Sequence, residues 1–472
     1  MMKSNVFSGF LAFLCLFSPA FCLANGSTTP ETINVQHRQD TDQMHQIKSK
    51  FVYSGTLLID NENEDEEEED DQIRTLPLNV RADFYWDQRV TSHSESSAQA
   101  IRIFNSATAS IKAGTGQTDS KLGEPNHLIL SRVQTDKTDL TTFEHASVEN
   151  VLSQREYELL RNPADPLTFH RMFNQKDVQV GDTWKVNDEA AASFLALDRM
   201  ITNNLTLKLK SISDSKAKIH ITGKVKGESD DAIVEMKVKG SATFDINQQL
   251  VTWLRMDIDN KRRLGQLAPG FDGQVKIDIS LNAVKDNPKI TRDAIKKQFK
   301  GKKLRFSFKL DRPKSQFSLI HEPGWRLIAS EDEAAVLRYM QDGQLLAQCN
   351  VVQLPKRSSD KPFTLEQFKT EIEKAVAKGQ GRIVGSSKFT NSNGLEVLRL
   401  LVDGKQADID VRWSYYHLSS TDGRRLTAVF TIEQDMEDEF AAADRLLVNE
   451  VSFKAKPNSR AAAQPSSRQK TR

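Results

Sequence analysis

Two Ser-x-x-Lys spacings, Ser215–Lys218 and Ser358–Lys361, are the nearest approach in this sequence to a nucleophile with a base beside it. The pattern works when the serine opens a helix, because the lysine then returns to the same face one turn later and can take the hydroxyl proton. The first instance falls in a turn that leads into a strand and the second in a polar loop, so both read as coincidences of a short pattern. Histidines are scattered: His145 and His170 flank a helical insert, His220 is outward on a strand, and His417 follows Tyr416. None has a partner at metal-ligand spacing. HExxH, GxSxG, a phosphate-cradling loop and a dinucleotide fingerprint are absent from the sequence. The residues therefore name no reaction and no cofactor, and the reading they support is non-enzymatic.

Two further features invite chemistry and have plainer explanations. Asp60-Asn61-Glu62-Asn63-Glu64-Asp65-Glu66-Glu67-Glu68-Glu69-Asp70-Asp71 is dense in hard-cation ligands. A calcium loop also needs spaced ligands and a turn glycine, and without them the run reads as a solvated hairpin loop held open by its own repulsion. Cys349 shares a face with Ala347 and Val351 and reads as a buried, inert thiol packing as a small hydrophobe.

Two surfaces are candidates for recognition. Arg412 and Tyr416 face opposite to Trp413 and Tyr415 on one strand, and Arg424 and Arg425 adjoin at the next turn. Exposed tyrosine and arginine are typical interface anchors, so these four form the candidate partner contact. Lys208, Lys210, Lys224, Lys226, Lys237 and Lys239, with Lys218 and Lys276, fall at outward strand positions. They mark a candidate face for an anionic polymer, or simply a sheet face kept from aggregating by lysine. Nothing in the sequence suggests specific nucleic-acid recognition.

The elements that carry these residues are organised around 205–281. Leu205, Leu207 and Leu209 alternate with polar residues, as do Ile219, Ile221 and Val225, then Val234, Met236 and Val238, then Leu254, Met256 and Ile258, then Val275, Ile277, Ile279 and Leu281. A period of two gives each strand one buried and one wet face. Ser213-Asp214-Ser215, Ser229-Asp230-Asp231, Asn247-Gln248-Gln249 and Pro269-Gly270 supply the turns of an antiparallel meander. Strands are also expected at 51–59, 76–87, 100–112 and 128–133. Ser153 with Glu156 spaces a capping box for a short helix ended by Asn162-Pro163, 167–173 adds a helical turn, and Asp188 is placed to cap an alanine-rich helix to Leu197. That helix would cover the apolar side of the meander.

At 472 residues the chain exceeds one ordinary core, and its net charge of +1 says nothing about partners. Lys3, an apolar run from Val6 to Phe17, Pro19 and Cys22-Leu23-Ala24 read as an export leader cleaved after Ala24. Acylation of Cys22 is the lesser option, because bulky Phe21 stands where a small residue belongs. The reading is 1–24 signal peptide, 25–48 disordered lead-in, 49–286 antiparallel β-sheet domain with a helical insert, 287–316 basic linker, 317–454 second domain and 455–472 disordered basic tail. In the linker, Thr291 caps a short helix ended by Gly301, with Ile290, Ala294, Ile295 and Phe299 as its apolar stripe; it is expected to dock on the surface.

In 317–454, strands are expected at 325–330, 334–339 and 345–354. A helix capped by Thr364 and Gln367 follows, with Leu365, Phe368, Ile372 and Val376 as its stripe. Next come strands at 383–390, 395–402, 408–419 and 426–432, and a helix from Met436 carrying Phe440, Ala443 and Leu447. With Pro323-Gly324-Trp325 at its opening and Asn449-Glu450-Val451-Ser452-Phe453 at its close, this module resembles the PsbP-like fold, an antiparallel sheet sandwiched by helices. The resemblance implies a non-enzymatic accessory role toward another envelope or membrane protein. The whole chain, through Ala347-Gln348-Cys349-Asn350 and Trp413-Ser414-Tyr415-Tyr416, also resembles secreted proteins of planctomycete type, which brings no activity with it.

The expectation is thus an α+β protein of the extracytoplasmic space, a binding or scaffold protein with an envelope-protein partner. The alternative is a lipid or lipoprotein carrier whose meander forms an unfilled cradle, and a third reading is a hydrolase without a motif.

Overall fold

The computed structural model describes residues 32–454 apart from 42, 60–72, 124–126, 286, 302–303, 311–314, 342–343, 359–362, 378–380 and 407. The expected leader with Cys22, the acidic run 60–71, the basic tail and Lys361 lie outside the described residues.

The chain is α+β, dominated by antiparallel sheet. It opens with β1 (Ile33–Gln36), β2 (Met44–Ile59), β3 (Arg74–His93), β4 (Ser97–Ala113), β5 (Gly116–Lys121), β6 (Leu128–Thr135) and β7 (Thr141–Ser147). An interlude holds α1 (Gln154–Leu160), α2 (Phe169–Met172), β8 (Asn174–Val178), β9 (Thr183–Lys185) and α3 (Asp188–Leu195). Then come β10 (Arg199–Asn203) and the meander of β11 (Thr206–Ser213), β12 (Lys216–Ser229), β13 (Ala232–Asp245), β14 (Leu250–Arg262) and β15 (Gly270–Val284). The sheet runs β7-β6-β4-β3-β2-β15-β14-β13-β12-β11-β9, with β10 on β12 and β5 on β4. It curls far enough that the Thr141 N–H, at the start of outer strand β7, donates to the Asp198 carbonyl just before β10 at 2.7 Å.

The meander forms for the reason its alternation suggests. Leu207, Ile219, Ile221, Val238, Leu254, Met256, Ile277 and Ile279 all lie in one buried cluster. Two-residue turns join β11 to β12 through Asp214-Ser215 and β12 to β13 through Asp230-Asp231, and all four residues have positive φ. That is the backbone twist a tight hairpin needs, and short polar side chains tolerate it best. Gly55 and Gly273 sit directly opposite each other on β2 and β15; a Cβ on Gly55 would lie 2.6 Å from the Gly273 Cα, so the two strands approach as only glycines permit.

Helix α3 covers the concave face. Ala190, Ala191, Ala192, Phe194 and Leu195 are all buried, and Phe194 packs against Phe169, which packs edge-on to Phe173. The cap is Asn187, whose Oδ1 accepts from the Ala190 N–H at 2.7 Å, and not Asp188, whose carboxylate accepts instead from Asn203 Nδ2. The helix stops at Leu195, with Ala196 in the left-handed region.

The lead-in 25–48 was expected to be without structure, yet β1 pairs with β8 and β2 begins at Met44. Ile33 and Val35 are buried, and His37 Nδ1 accepts from the Val251 N–H at 3.0 Å. A four-residue strand is too short for periodicity to announce. Within the expected linker, α4 (Arg292–Phe299) is capped by Thr291 and docks, with Ile295 and Phe299 packing on fully buried Ile290.

The second module places β16 (Phe308–Leu310), β17 (Phe317–His321) and β25 (Ser452–Phe453) in a small sheet. Its main sheet runs β18-β19-β20-β24-β23-β22-β21, built from β18 (Trp325–Ser330), β19 (Ala334–Gln341), β20 (Gln344–Leu354), β21 (Arg382–Thr390), β22 (Glu396–Gln406), β23 (Ile409–Ser419) and β24 (Arg425–Glu433). Helix α5 (Leu365–Val376) carries the expected capping box and buries Phe368, Ile372 and Val376 on Leu398, Leu400 and Val402. The helix expected from Met436 is broken at Ala441, which has φ +50°, into α6 (Glu437–Phe440) and α7 (Ala443–Asn449). Both short helices pack on the opposite face, with Cys349, Tyr416 and Phe430.

Candidate functional site

Of the four residues expected to form a partner contact, Tyr416 is not at the surface, and the three arginines are engaged within the chain. Tyr416 is fully buried, and its hydroxyl donates to Asp444 Oδ2 at 2.7 Å. Alternation correctly put it opposite Trp413 and Tyr415, but β23 is sandwiched between helices, so both of its faces are core. Burial and Asp444 push the Tyr416 phenol far above its usual range. Arg412 is held by Asp403 (2.7 Å) and Glu437, Arg424 by Asp422 (3.0 Å) and the Lys454 carbonyl, and Arg425 by the Pro355 carbonyl (3.0 Å). These arginines staple turns and helices.

The lysine face is outward, and the register interleaves it with acid. Lys239 stands opposite Asp257, Lys237 opposite Asp259, and Lys226 opposite Glu235, whose carboxylate is 3.4 Å away. Lys208 faces His220, and Lys224 faces Lys237 as a like-charged pair.

Among the described residues no group of three or more His, Cys, Asp and Glu could hold a metal ion. His145 is buried against Ser131 Oγ (2.9 Å), and burial, followed by the charge of Arg102, pulls its imidazole down to about 3. His417 is wedged between Phe363 and Phe368. Ser215 sits in the β11–β12 turn, and Cys349 is a buried free thiol.

The groups that do converge lie where the two modules meet. Inner-face residues Tyr53, Val234, Met236, Ile258 and Val275, at one end of the curled sheet, form an apolar floor with Leu197. Helix α1, the β12–β13 turn, residues 267–269 and strand β18 wall it in, enclosing a cleft of about 390 Å³. Its polar rim carries Gln154, Glu158, Arg161, Asp230, Asn260, Arg262 and Arg326.

Most of that rim is already paired. Arg161 bonds Asp198 Oδ1 at 2.7 Å and Asp230 Oδ1 at 3.0 Å, and the Asp230 N–H donates to Asp198 Oδ2 at 2.8 Å. Burial works against the Arg161 charge, but Asp230 and Asp198 outweigh it and hold the guanidinium more firmly protonated than usual. Burial likewise works to raise the Asp230 carboxyl, and Arg161, Arg326 and Arg262 together hold it below its ordinary value. Arg326 reaches Asp230 across the junction at 3.6 Å. Burial pushes the Tyr53 phenol up to about 12.

Two groups are left over. Arg262 donates from Nε to the Pro269 carbonyl at 3.0 Å and, among the described residues, makes no ion pair. Burial lowers its guanidinium from the ordinary value. Asn260 Oδ1 is enclosed and has no hydrogen-bond partner among the described residues. Sequence reading passed over both because each is a single polar residue on the inner face of a strand whose other inward positions are apolar. The signal was there: Asn260 and Arg262 continue the parity of Leu254, Met256 and Ile258, which puts two polar groups on the core side.

The family of unknown function DUF6263 matches residues 168–259, from the helical interlude to late in β14. No curated protein matches the chain. Among solved structures the chain is similar to the solution structure of cyanobacterial PsbP (CyanoP) from Synechocystis sp. PCC 6803, at 14% identity and TM-score 0.24, over 31% of this chain and 92% of that one. It is also similar to the translocator domain of autotransporter NalP from Neisseria meningitidis, at 9% identity and TM-score 0.14, over 85% and 90%. Pseudomonas aeruginosa OpdQ is similar at 8% identity and TM-score 0.11, over 84% and 98%. Scores of this size carry no argument about what the chain does.

Proposed function

We propose that this chain is a non-enzymatic binding protein of the extracytoplasmic space, with its ligand held in the cleft between the β-domain and the C-terminal module. The observation that carries the reading is a cleft with an apolar floor whose rim keeps one guanidinium and one amide oxygen unspent. Buried polar groups are ordinarily satisfied, and a small-molecule site combines apolar walls with a few convergent polar groups. The leader-like Val6–Phe17 run supports the compartment. The PsbP-like order of elements in 317–454 supports an accessory role, in which the second module docks on an envelope protein.

The carrier alternative takes a narrower form. Phe169, Phe173 and Phe194 fill the concave face beneath α3, so an apolar cargo has room at the junction end and not along the whole sheet. The lysine face gives an anionic-polymer partner less support, since Asp257, Asp259 and Glu235 oppose its charge.

Native mass spectrometry of the full chain isolated from its own envelope tests the proposal. A co-purifying small molecule is expected, and it is lost on Met236→Trp, which fills the floor. Only the bare polypeptide mass for the unaltered protein as well as for the variant would defeat the reading.

A further inference from the structure

Resting on that binding reading, we infer that the cleft takes an anionic single-chain amphiphile whose head group also carries a hydroxyl. The acidic oxygens lie on Arg262, the hydroxyl donates to Asn260, and the chain runs over Met236, Ile258 and Val275.

The pairing within the rim points to an anion. Arg161 and Arg326 face Asp198 and Asp230, two cations against two carboxylates, joined at 2.7, 3.0 and 3.6 Å. Glu158, exposed on the rim, balances the third arginine in number, but it accepts from Gln154 Nε2 at 2.7 Å and makes no ion pair among the described residues. Arg262 remains, its terminal nitrogens without an ion-pair partner among the described residues. A planar guanidinium whose terminal N–H edge is free matches a carboxylate or phosphate oxygen pair.

Asn260 adds a second requirement. Its Oδ1 can only accept, so an anion alone would leave it as it is, enclosed and unmatched. Asn260 and Arg262 stand two residues apart on the same face of β14, roughly 7 Å between Cα atoms, so one head group can offer an acceptor to one and a donor to the other. The floor beneath is apolar and continuous with the β-domain core. At about 390 Å³ the cleft is near the lower end of the roughly 300–1,000 Å³ usual for ligand pockets, which suits one alkyl chain better than two.

Calorimetric titration of the full chain with tetradecanoate, 3-hydroxytetradecanoate, tetradecanol and tetradecyltrimethylammonium, each below its micelle concentration, tests the inference. The hydroxy acid is expected to bind at one per chain. Tetradecanoate should bind roughly fivefold more weakly, the worth of one neutral hydrogen bond, and Arg262→Gln should weaken both acids at least about tenfold. Asn260→Ala should remove the preference for the hydroxy acid and leave tetradecanoate as it was. Arg262→Lys should keep most of the affinity, which separates loss of charge from loss of fold, and thermal melts of each variant check the fold directly. Equal binding of the ammonium compound, or undiminished binding of the acids to Arg262→Gln, would overturn the ligand class while leaving the cleft as a binding site. Failure of all four amphiphiles to bind would overturn the ligand class, and with an empty native mass it would overturn the binding reading too.

Discussion

Gln154 takes both backbone groups of Leu327: its Oε1 accepts from the Leu327 N–H at 2.7 Å, and its Nε2 donates to the Leu327 carbonyl at 3.4 Å. Leu327 is on β18, the edge of the second module's sheet, while Gln154 opens α1 of the first. A side-chain amide therefore stands where a neighbouring strand would, closing an edge and joining two modules in one contact. Gln154→Ala should release this contact at a cost of about 1–2 kcal/mol, two ordinary hydrogen bonds less their solvation. Amide hydrogen exchange at Leu327 is expected to quicken about tenfold, with no change at Trp325, whose N–H bonds the Glu322 carbonyl. Unchanged exchange at Leu327 would show that the edge is closed by something else.

Arg102 is among the most deeply buried side chains of the β-domain. Its terminal nitrogens bond both oxygens of Asp165 at 2.8 and 2.5 Å, and its Nε bonds Gln88 at 2.8 Å. Burial works to raise the Asp165 carboxyl, and the Arg102 charge holds it below its ordinary value. Asp165→Asn leaves a cation in the core without its counter-charge, a change that costs about 3–5 kcal/mol. Urea unfolding at neutral pH should show it as a lower midpoint with an unchanged slope.

Every inward position of the meander, the Thr364–Gln367 cap and the β18 boundaries follow from alternation and capping, which act within a few residues. The junction cleft does not, because it depends on β14, α1 and β18 meeting, residues brought together only by the closed fold. Tyr416 shows the intermediate case: its parity was legible, but whether the second face of β23 met solvent or α7 was decided by tertiary packing.

Tyr416→Phe should therefore act on stability. It removes the donor to Asp444, a carboxylate that also receives Arg399 at 2.7 Å and is almost fully buried. A loss of about 1–3 kcal/mol is expected, read by thermal or urea unfolding. Asp444→Asn should cost more, since Arg399 then loses its counter-charge. Equal costs for the two variants would mean that the arginine finds another partner.

Acid should unfold the second module through His417. Neither ring nitrogen has a hydrogen-bond partner among the described residues, and burial, followed by the charges of Arg425 and Arg357, brings its pKa down to about 4. The unfolded imidazole titrates near 6.5, so the unfolded chain binds the proton first. Stability is untouched above that pH and falls as pH drops from 6.5 to 4, by about 3 kcal/mol for this one group. His417→Phe should leave the pH 7 midpoint nearly unchanged and recover most of that loss at pH 4. A pH profile parallel to that of the unaltered protein would show that other groups govern the acid limb.

The pairing of β2 with β15 sets the point at which this domain can close. Met44 meets Val284 and Leu58 meets Gly270, so the centre of the sheet joins the first long strand to the last. Until residue 284 has emerged, β2 through β7 and the meander are two half-sheets, each with an open edge at the seam. Closing that seam spans most of the module's sequence, the kind of distant contact that makes β-rich domains slow to fold. The two half-sheets can therefore be joined along this one seam only after the whole β-domain has been synthesised.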